Sequence, residues 1–338
     1  VKKMAELGFM GMMVSPEYGG GGMDTISYVL AMEEISKIDA SSSVIMSVNN
    51  SLVCWGLEIY GSQEQKDKYL RRLATGEIIG AFCLSEPEAG SDATSQRTTA
   101  IDNGDHYILN GTKNWITNGN SASVYLVIAQ TDHALGHKGI NAFIVEKETE
   151  GVIVGKKEDK LGIRGSDTHS IMFTDVKVPK ENRIGENGFG FSFAMKTLSG
   201  GRIGIAAQAL GIASGAYELS LKYSKERKAF GKEISKHQAI AFKLADMATE
   251  IEAARLLCLK AAWLKDNGMN YDKESAMAKV YASETAMKTT TEAVQVHGGY
   301  GFVKEYHVER LMRDAKITQI YEGTSEIQRI VISRSVLK

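Results

Sequence analysis

The segment HYILNGTKNWI, residues 106–116, decides the fold class, because it belongs to a stretch of strand patterns between two blocks with helical patterns. Its aromatic and β-branched residues are typical of strands, and Asn110-Gly111 is a pair preferred in two-residue hairpin turns, so we expect a turn there. Three further runs share this composition: SVYLVIAQT, NAFIVEK and SIMFTDVKV. The chain from about residue 79 to residue 187 is therefore predicted to be a β domain.

Helical patterns lie on both sides of this β block. ISYVLAMEEISKI and QEQKDKYLRRLA precede it with apolar residues at helical spacing, whereas the glycine run YGGGG must be a loop. Long periodic runs such as RIGIAAQALGIASGAYELSLKYSKER and AIAFKLADMATEIEAARLLCLKAAWLK follow it. We therefore predict an α+β chain with three domains, at residues 1–78 (helical), 79–187 (β) and 188–338 (helical). This succession does not fit a doubly wound sheet, in which strands and helices alternate throughout.

Composition excludes several classes of function. The 338 residues are 43% hydrophobic and carry a formal net charge of -1, which leaves no electrostatic footprint for nucleic acid or an anionic membrane. Cys54, Cys83 and Cys258 are far apart and form no CxxC, so a disulfide scaffold or zinc ribbon is disfavoured. No apolar run approaches the ~20 residues that span a bilayer. We therefore expect neither nucleic acid nor a membrane as a partner.

Common cofactor and hydrolase motifs are absent from the chain. There is no GxGxxG after a strand, no GxxxxGK[ST], no GxSxG and no HExxH. The two histidines of HALGH, residues 133–137, have i, i+4 spacing, but they lie in a glycine-flanked connection where no helix would align their rings. We predict no metal site and no Rossmann-type dinucleotide site.

One acid, Glu322, stands between an aromatic residue and a glycine in ITQIYEGTSEIQRIVISR, residues 317–334. Ser325 and Gln328 have capping-box spacing, and the apolar residues after them recur at helical intervals, so Glu322 is predicted to lie on the turn before a helix. An acid near the positive end of a helix is also a favourable surface placement. These residues alone leave open whether Glu322 takes part in chemistry.

Two stretches of the β block could face a flat polar ligand. AFCLSEPEAGSDATSQ, residues 81–96, runs from a strand into a loop of small residues whose hydroxyl and N–H groups suit a polar ligand edge. KNWITNG, residues 113–119, places Trp115 and Thr117 at alternating positions of one strand face, which suits a heteroaromatic ring. An ordinary strand-to-turn segment and a core tryptophan would explain the same residues, and both alternatives stay open.

Five motifs in succession resemble those of the acyl-CoA dehydrogenases, the flavoenzymes of fatty and branched-chain acid oxidation. They are AFCLSEPEAGSD, KNWITNG, ERKAFGKEISKHQAI, QVHGGYGF and QIYEGTSEIQR. The resemblance covers essentially the whole chain and implies a helical domain, a middle β-barrel or β-sandwich domain and a C-terminal four-helix bundle. By the same comparison, the start at Val1 looks shortened by about two helices. The compartment implied is the cytoplasm for a bacterial protein and the mitochondrial matrix for a eukaryotic one.

The resemblance also implies residues that bind FAD and substrate. The implied FAD contacts are Phe82, Cys83, Leu84, Ser85, Ser91, Trp115, Ile116, Thr117, Arg227, Ala229, Phe230, His237, Gln238, Gln295, Val296, His297, Gly298, Gly299, Thr324, Ser325 and Glu326. The implied substrate contacts are Ser91, Ser199, Arg202, Tyr321 and Gly323, with Arg202 at the start of the first long C-terminal helix. Because the segments around Arg227 and 295–299 are implied to reach a neighbouring subunit's FAD, a homotetramer is also implied.

The reaction implied is α,β-dehydrogenation of an acyl-CoA, with Glu322 removing the α-proton and flavin N5 accepting the β-hydride. Electrons would then pass to electron-transferring flavoprotein. Gly201 stands where isovaleryl and long-chain enzymes carry their base, and Val44 where glutaryl-CoA dehydrogenases have a cation. The segment SVNNSL looks most like that of short-chain (butyryl) enzymes, with medium-chain or short branched substrates as neighbours. An acyl-CoA oxidase and a non-catalytic flavoprotein scaffold remain as alternatives.

Overall fold

A computed structural model describes all of residues 1–338. Short helices lead into a β-sheet, and long helices follow it, which confirms the predicted α+β class. The helices of the first block are α1 (Lys2–Glu6), α2 (Thr25–Ile38), α3 (Ala40–Ser47), α4 (Trp55–Tyr60), α5 (Gln63–Gln65) and α6 (Arg71–Ala74), with π-helical turns at Val48–Cys54 and Lys66–Leu70. The Asp24 carboxylate starts α2 by accepting the N–H of Ser27 at 2.7 Å.

The middle block forms one eight-stranded sheet. Its strands are β1 (Gly80–Cys83), β2 (Thr99–Asp102), β3 (His106–Thr117), β4 (Val124–Gln130), β5 (Ile140–Glu146), β6 (Val152–Lys157), β7 (Thr168–Pro179) and β8 (Arg183–Ile184). They follow the order β6-β7-β3-β2-β4-β5-β8, and β1 pairs parallel with β4. Side chains such as Leu109, Phe143 and Ile171 fill a core on this sheet.

The turn expected at Asn110-Gly111 is wrong, because residues 106–117 form one continuous strand. The register against β7 shifts between Leu109 and Gly111, so the pair forms a bulge. Asn110 Nδ2 donates to Asp175 Oδ1 at 3.0 Å, and Asn110 Oδ1 accepts the Asp175 N–H at 2.8 Å. Gly111 has φ 147°, and a Cβ there would lie 2.5 Å from the Thr98 hydroxyl oxygen. The pair therefore bends a strand instead of ending one.

Long helices form the last block. Its elements are α7 (Gly190–Glu226), β9 (Lys228–Ala229), β10 (Lys232–Glu233), α8 (Gln238–Asp266), α9 (Asp272–His297), α10 (Val308–Thr318) and α11 (Ser325–Val336). Leu244 and Met247 of α8 pack with Val296 of α9. Because α7 begins at Gly190, the expectation that Arg202 starts this helix is wrong, and the residue lies within it. None of the helices combines the length and apolar character needed to cross a membrane.

Internal contacts divide the chain into two units. The first unit comprises residues 1–23, 44–159 and 165–201, and the second comprises residues 24–43, 160–164 and 202–338. The eight-stranded sheet belongs to the first unit. The turn that carries Glu322, together with helices α8 to α11, belongs to the second.

Candidate active site

Glu322 lies on the turn between α10 and α11, in left-handed backbone with φ 52°. Non-glycine residues rarely adopt this conformation, and those that do cluster at functional sites. Gly323 follows with φ 90°, and a Cβ there would lie 2.7 Å from Gln328 Nε2. Two successive left-handed residues thus form the turn, and the second must be glycine.

Side chains from two helices hold the carbonyl groups of this turn. Gln328 Nε2 donates to the carbonyl oxygen of Glu322 at 3.1 Å and to that of Gly323 at 2.8 Å. Lys279 Nζ, from α9, donates to the carbonyl oxygen of Gly323 at 2.7 Å. The backbone that carries the carboxyl group is therefore fixed by side-chain donors, since neither adjoining helix includes these carbonyls.

The capping box expected from Ser325 and Gln328 is wrong. The cap of α11 is Thr324, whose hydroxyl oxygen accepts the N–H of Ile327 at 3.3 Å. The N–H of Ser325 already donates to the carbonyl of Gln319 at 3.0 Å, so it does not need the Gln328 side chain. The Gln328 amide is therefore available to bind the Glu322 turn.

The carboxyl group of Glu322 is enclosed, although the residue as a whole is only partly buried. Its Oε2 atom is shielded from solvent and has no hydrogen-bond partner. Burial raises the pKa of Glu322 to about 7, against the opposing attraction of Lys279 and Arg202. A carboxyl group with such a pKa is a stronger base than a surface glutamate and is still substantially ionised near neutral pH.

Two cations and a tyrosine accompany this carboxyl group in the second unit. Lys279 is 0% exposed, and burial lowers its pKa to about 8. Arg202 is also buried, and desolvation lowers its pKa while Asp272 and Glu322 oppose the shift. The Tyr321 hydroxyl donates to Gln208 Oε1. The structure thus brings together four of the predicted catalytic and substrate residues of this unit: Glu322, Arg202, Tyr321 and Gly323.

Sequence reasoning missed Lys279 and Gln328, the two residues that hold the turn. The available signal for Lys279 was a lysine on the apolar face of a helix. Ala276 and Ala282, one turn to either side of it, are both fully buried. Gln328 gave no such signal, because its sequence position fits an ordinary helix cap equally well.

The first-unit residues predicted to contact FAD lie at the end of β1, in the following loop and on β3. Phe82, Cys83 and Ile116 have buried side chains, Leu84, Ser85 and Thr117 are half-buried, and Ser91 is exposed. Trp115 is 57% exposed and has φ 57°, at a register shift of β3 against β7. The bulge turns a large apolar ring outward, which leaves a flat surface that a planar ligand could cover.

A buried ion pair holds the loop that contains Ser85 and Ser91. Lys113, on β3, is 0% exposed, and its Nζ donates to Glu86 Oε1 at 2.7 Å and to the Leu84 carbonyl at 2.9 Å. At the far end of the loop, Glu86 accepts the N–H of Arg97 at 2.6 Å. Both ends of the loop are thereby fastened to the sheet.

The second-unit segments predicted to bind FAD are largely exposed. The Arg227 guanidinium lies 5.6 Å from the ring centre of Tyr300, and Phe230 is 96% exposed with φ 52°. Val296 and His297 are buried, so only their backbone atoms could face a ligand. The remaining positions are Gln238, Gln295, Gly298, Gly299 and Glu326, which are exposed, Ala229, His237 and Thr324, which are half-buried, and Ser325, which is buried. Ser199, a predicted substrate contact on α7 in the first unit, is buried.

Known proteins resemble this chain along its whole length. Family models for the N-terminal, middle and C-terminal domains of acyl-CoA dehydrogenase match residues 1–77, 81–176 and 188–337 respectively. The short-chain specific acyl-CoA dehydrogenase of Clostridium acetobutylicum is 53% identical over 338 residues, which cover 100% of this chain and 89% of that relative.

Two solved structures are similar to this chain in both sequence and fold. Butyryl-CoA dehydrogenase from Megasphaera elsdenii is 50% identical with a TM-score of 0.98, over 100% of this chain and 89% of that one. A chain in the structure described as "Electron transferring flavoprotein of Acidaminococcus fermentans: Towards a mechanism of flavin-based electron bifurcation" is 54% identical with a TM-score of 0.99, over the same shares. The chain therefore belongs to the acyl-CoA dehydrogenase family of flavin-dependent oxidoreductases.

Proposed function

We propose that this enzyme dehydrogenates a short-chain, butyryl-like acyl-CoA to the trans-2-enoyl-CoA, with FAD as cofactor and Glu322 as the base. The observation that carries the assignment of the base is the enclosed Glu322 carboxyl group on its left-handed turn. Burial raises its pKa to about 7, which suits the removal of a weakly acidic α-proton. The names of the relatives support the substrate class.

The residues of the chain fit FAD as the cofactor. Trp115 presents an exposed indole for a flavin ring, with the hydroxyl groups of Ser85 and Thr117 on neighbouring segments. Arg227 is an exposed cation suited to the pyrophosphate. When bound, FAD supplies the acceptor for the hydride that leaves the β-carbon. We carry over the predicted FAD contacts as part of this proposal.

Glu322 contributes to the reaction through its backbone as well as its side chain. Its carboxylate takes the α-proton, which becomes acidic enough only when the thioester carbonyl is polarised. The N–H of Glu322 makes no hydrogen bond within the chain, so it can donate to that carbonyl. One such donor in an enclosed site contributes roughly 3 kcal/mol to transition-state stabilisation. Gly323 lets the thioester approach the backbone, which a side chain there would obstruct.

Reduction of the bound flavin by a panel of acyl-CoAs under anaerobic conditions tests the proposed function. We expect bleaching of the flavin to be fastest with four to six acyl carbons, because each methylene that fits a closed pocket gains ~0.8 kcal/mol and one outside it gains little. Val44 is buried and apolar, so a distal carboxylate would find no cation beside it. A maximum with glutaryl-CoA or palmitoyl-CoA would overturn the short-chain assignment but not the reaction class.

The same experiment separates the alternatives. Medium-chain or short branched enzymes would show a different maximum, and a non-catalytic scaffold would show no bleaching with any acyl-CoA. Rapid aerobic reoxidation after bleaching would indicate an oxidase. Slow reoxidation in air and fast reoxidation by electron-transferring flavoprotein would support that protein as the acceptor.

Assembly is proposed on the same basis. The FAD site would be completed by Arg227 and residues 295–299 of a neighbouring subunit, in a homotetramer of three-domain chains with domains at 1–78, 79–187 and 188–338. We also propose the cytoplasm as the compartment for a bacterial protein and the mitochondrial matrix for a eukaryotic one.

Arg227→Ala should lower FAD retention and thermal stability together, since FAD that binds only the folded assembly stabilises it. A monomer with full FAD content would contradict the shared site.

A further inference from the structure

The Glu322 turn depends on a charged group that takes no part in the chemistry proposed above. Lys279 is completely buried on α9, and its one hydrogen-bond acceptor is the Gly323 carbonyl at 2.7 Å. That carbonyl also accepts from Gln328 Nε2 at 2.8 Å, so it would remain satisfied without the lysine. The hydrogen bond alone therefore does not explain why an ammonium group is buried here.

Burial of a charge without a carboxylate partner is costly, and a methionine would fill the same space. The lysine must therefore serve something that an apolar side chain could not. Burial raises the pKa of the Glu322 carboxyl group, and the positive charge of Lys279 opposes that rise. The enclosed Oε2 atom of Glu322 has no hydrogen-bond donor of its own, so nearby charge is what favours its ionised form.

We propose that Lys279 is a positioning residue for the catalytic base. Its ammonium group anchors the left-handed turn through the Gly323 carbonyl and supplies positive charge that keeps the Glu322 carboxylate ionised in its enclosed site. The inference rests on the proposed role of Glu322, and it makes the position of the acid limb, which reports Glu322, depend on a residue that touches neither substrate nor cofactor.

Other charged groups around the site do not replace this role. Arg202, on α7, also attracts the Glu322 carboxylate, but less strongly than Lys279 does, and Asp272 in turn attracts Arg202. Glu326, on α11, acts on Lys279 from an exposed position, where solvent screens it. Tyr321 adds no charge, because burial raises the pKa of its hydroxyl well above the ordinary value. Lys279 is thus the cation fixed on the turn itself.

Rapid-mixing measurement of flavin reduction as a function of pH tests the proposal. Lys279→Gln retains a neutral donor for Gly323 but removes the charge, so the apparent pKa of Glu322 should rise. We expect the acid limb of the reduction rate to move up by about one pH unit or more, which is about a tenfold loss at pH 6 with recovery at high pH. Lys279→Arg, which keeps a positive charge, should leave the acid limb within about half a unit of the parent.

Infrared difference spectra provide a readout independent of turnover. The protonated carboxyl band of Glu322, identified by its absence in Glu322→Gln, should persist to higher pH in Lys279→Gln than in the parent. An unmoved acid limb and an unmoved band would overturn the role of Lys279. If Lys279→Gln fails to retain FAD, the test falls to Lys279→Arg. A shifted acid limb and a shifted carboxyl band in Lys279→Arg would overturn the role of the charge, and values like those of the parent would support it. Absence of flavin reduction in the parent would instead reject the proposed function.

Discussion

Two lysines of this enzyme are completely buried, and they differ in what each one contacts. In the first unit, Lys113 contacts a carboxylate, with Glu86 Oε1 2.7 Å from its Nζ. In the second unit, Lys279 donates its hydrogen bond to a backbone carbonyl, that of Gly323, and has no carboxylate within ion-pair distance. Burial of either ammonium group costs free energy of desolvation, but only at Lys113 does an ion pair offset that cost.

The difference teaches that a buried charge can serve structure or chemistry. Burial lowers the pKa of Lys113, and the attraction of Glu86 opposes it within a network that also includes Gln96. That charge is neutralised where it lies and fastens a loop. At Lys279 the charge acts at longer range on Glu322, which is the proposed base, and favours its ionised form. Variants at these positions should therefore separate stability from reactivity.

Removal of the base itself should have the largest effect. Glu322→Gln keeps the size and shape of the side chain but removes its basicity, so we expect flavin reduction by butyryl-CoA to slow by roughly 10²–10⁴-fold. FAD content and acyl-CoA affinity should stay near those of the parent. Stopped-flow absorbance of the flavin measures the rate. Bleaching within a factor of ten of the parent would mean that another residue is the base.

The two lysines should differ in how much stability is lost on substitution by methionine. Lys113→Met leaves Glu86 buried and uncompensated, so we expect a loss of roughly 3–5 kcal/mol in the free energy of unfolding. Lys279→Met leaves no bonded carboxylate behind, keeps the Gly323 carbonyl satisfied and removes a desolvated charge, so its stability at pH 7 should fall by no more than about 1 kcal/mol. Denaturant unfolding with saturating FAD measures both.

A paired change provides the control for this contrast. Lys113→Met combined with Glu86→Gln removes both charges and keeps an acceptor oxygen near the backbone N–H groups of Arg97 and Thr98, so it should recover part of the lost stability. Equal destabilisation by the two single methionine variants would erase the distinction between the lysines.

The pH dependence of the free energy of unfolding should reveal the titration of Lys279 and Glu322 directly. Because the pKa of Lys279 is about 8 in the folded chain and about 10.5 when unfolded, the unfolded state binds more protons between these values. Stability should therefore rise by about 3 kcal/mol as pH increases from 8 to 10.5, and this rise should vanish in Lys279→Met.

Glu322, with its pKa raised to about 7, should make stability fall between about pH 4.5 and 7. Glu322→Gln should remove that fall, and an unchanged profile in either variant would contradict the assignment.

The sequence predicted more of the fold than of the details that fix the site. Alternation and periodicity correctly separated the β block from the helices, because those patterns reflect burial of whole faces. The pair Asn110-Gly111 misled, since a bulge and a hairpin turn both need a residue without a Cβ. Gln328 misled for a similar reason, because its amide can either complete a capping box at a helix start or, as here, donate to the carbonyls of the preceding turn.

Local patterns could not find the charge arrangement around Glu322. Lys279 is 43 positions before it in the chain, and only the packing of α9 against the turn brings the two together. The left-handed conformation of Glu322 is likewise invisible in sequence, since a glutamate before a glycine is compatible with many turns. The family motifs predicted Glu322 as the base, whereas the charged groups around it could be found only in the structure.

The smallest expected effect distinguishes geometry from charge at the turn. Gln328→Met removes both hydrogen bonds to the carbonyls of Glu322 and Gly323 but changes no charge. The Gly323 carbonyl keeps Lys279, whereas that of Glu322 loses its side-chain donor, which costs about 1 kcal/mol. We expect flavin reduction to slow by about five- to tenfold at every pH, because the carboxyl group is less well placed while its ionisation is unaltered. The acid limb should therefore stay where it is in the parent, in contrast to Lys279→Gln. If the two variants shifted that limb equally, loss of turn geometry alone would explain both, and the positive charge of Lys279 would have no separate role.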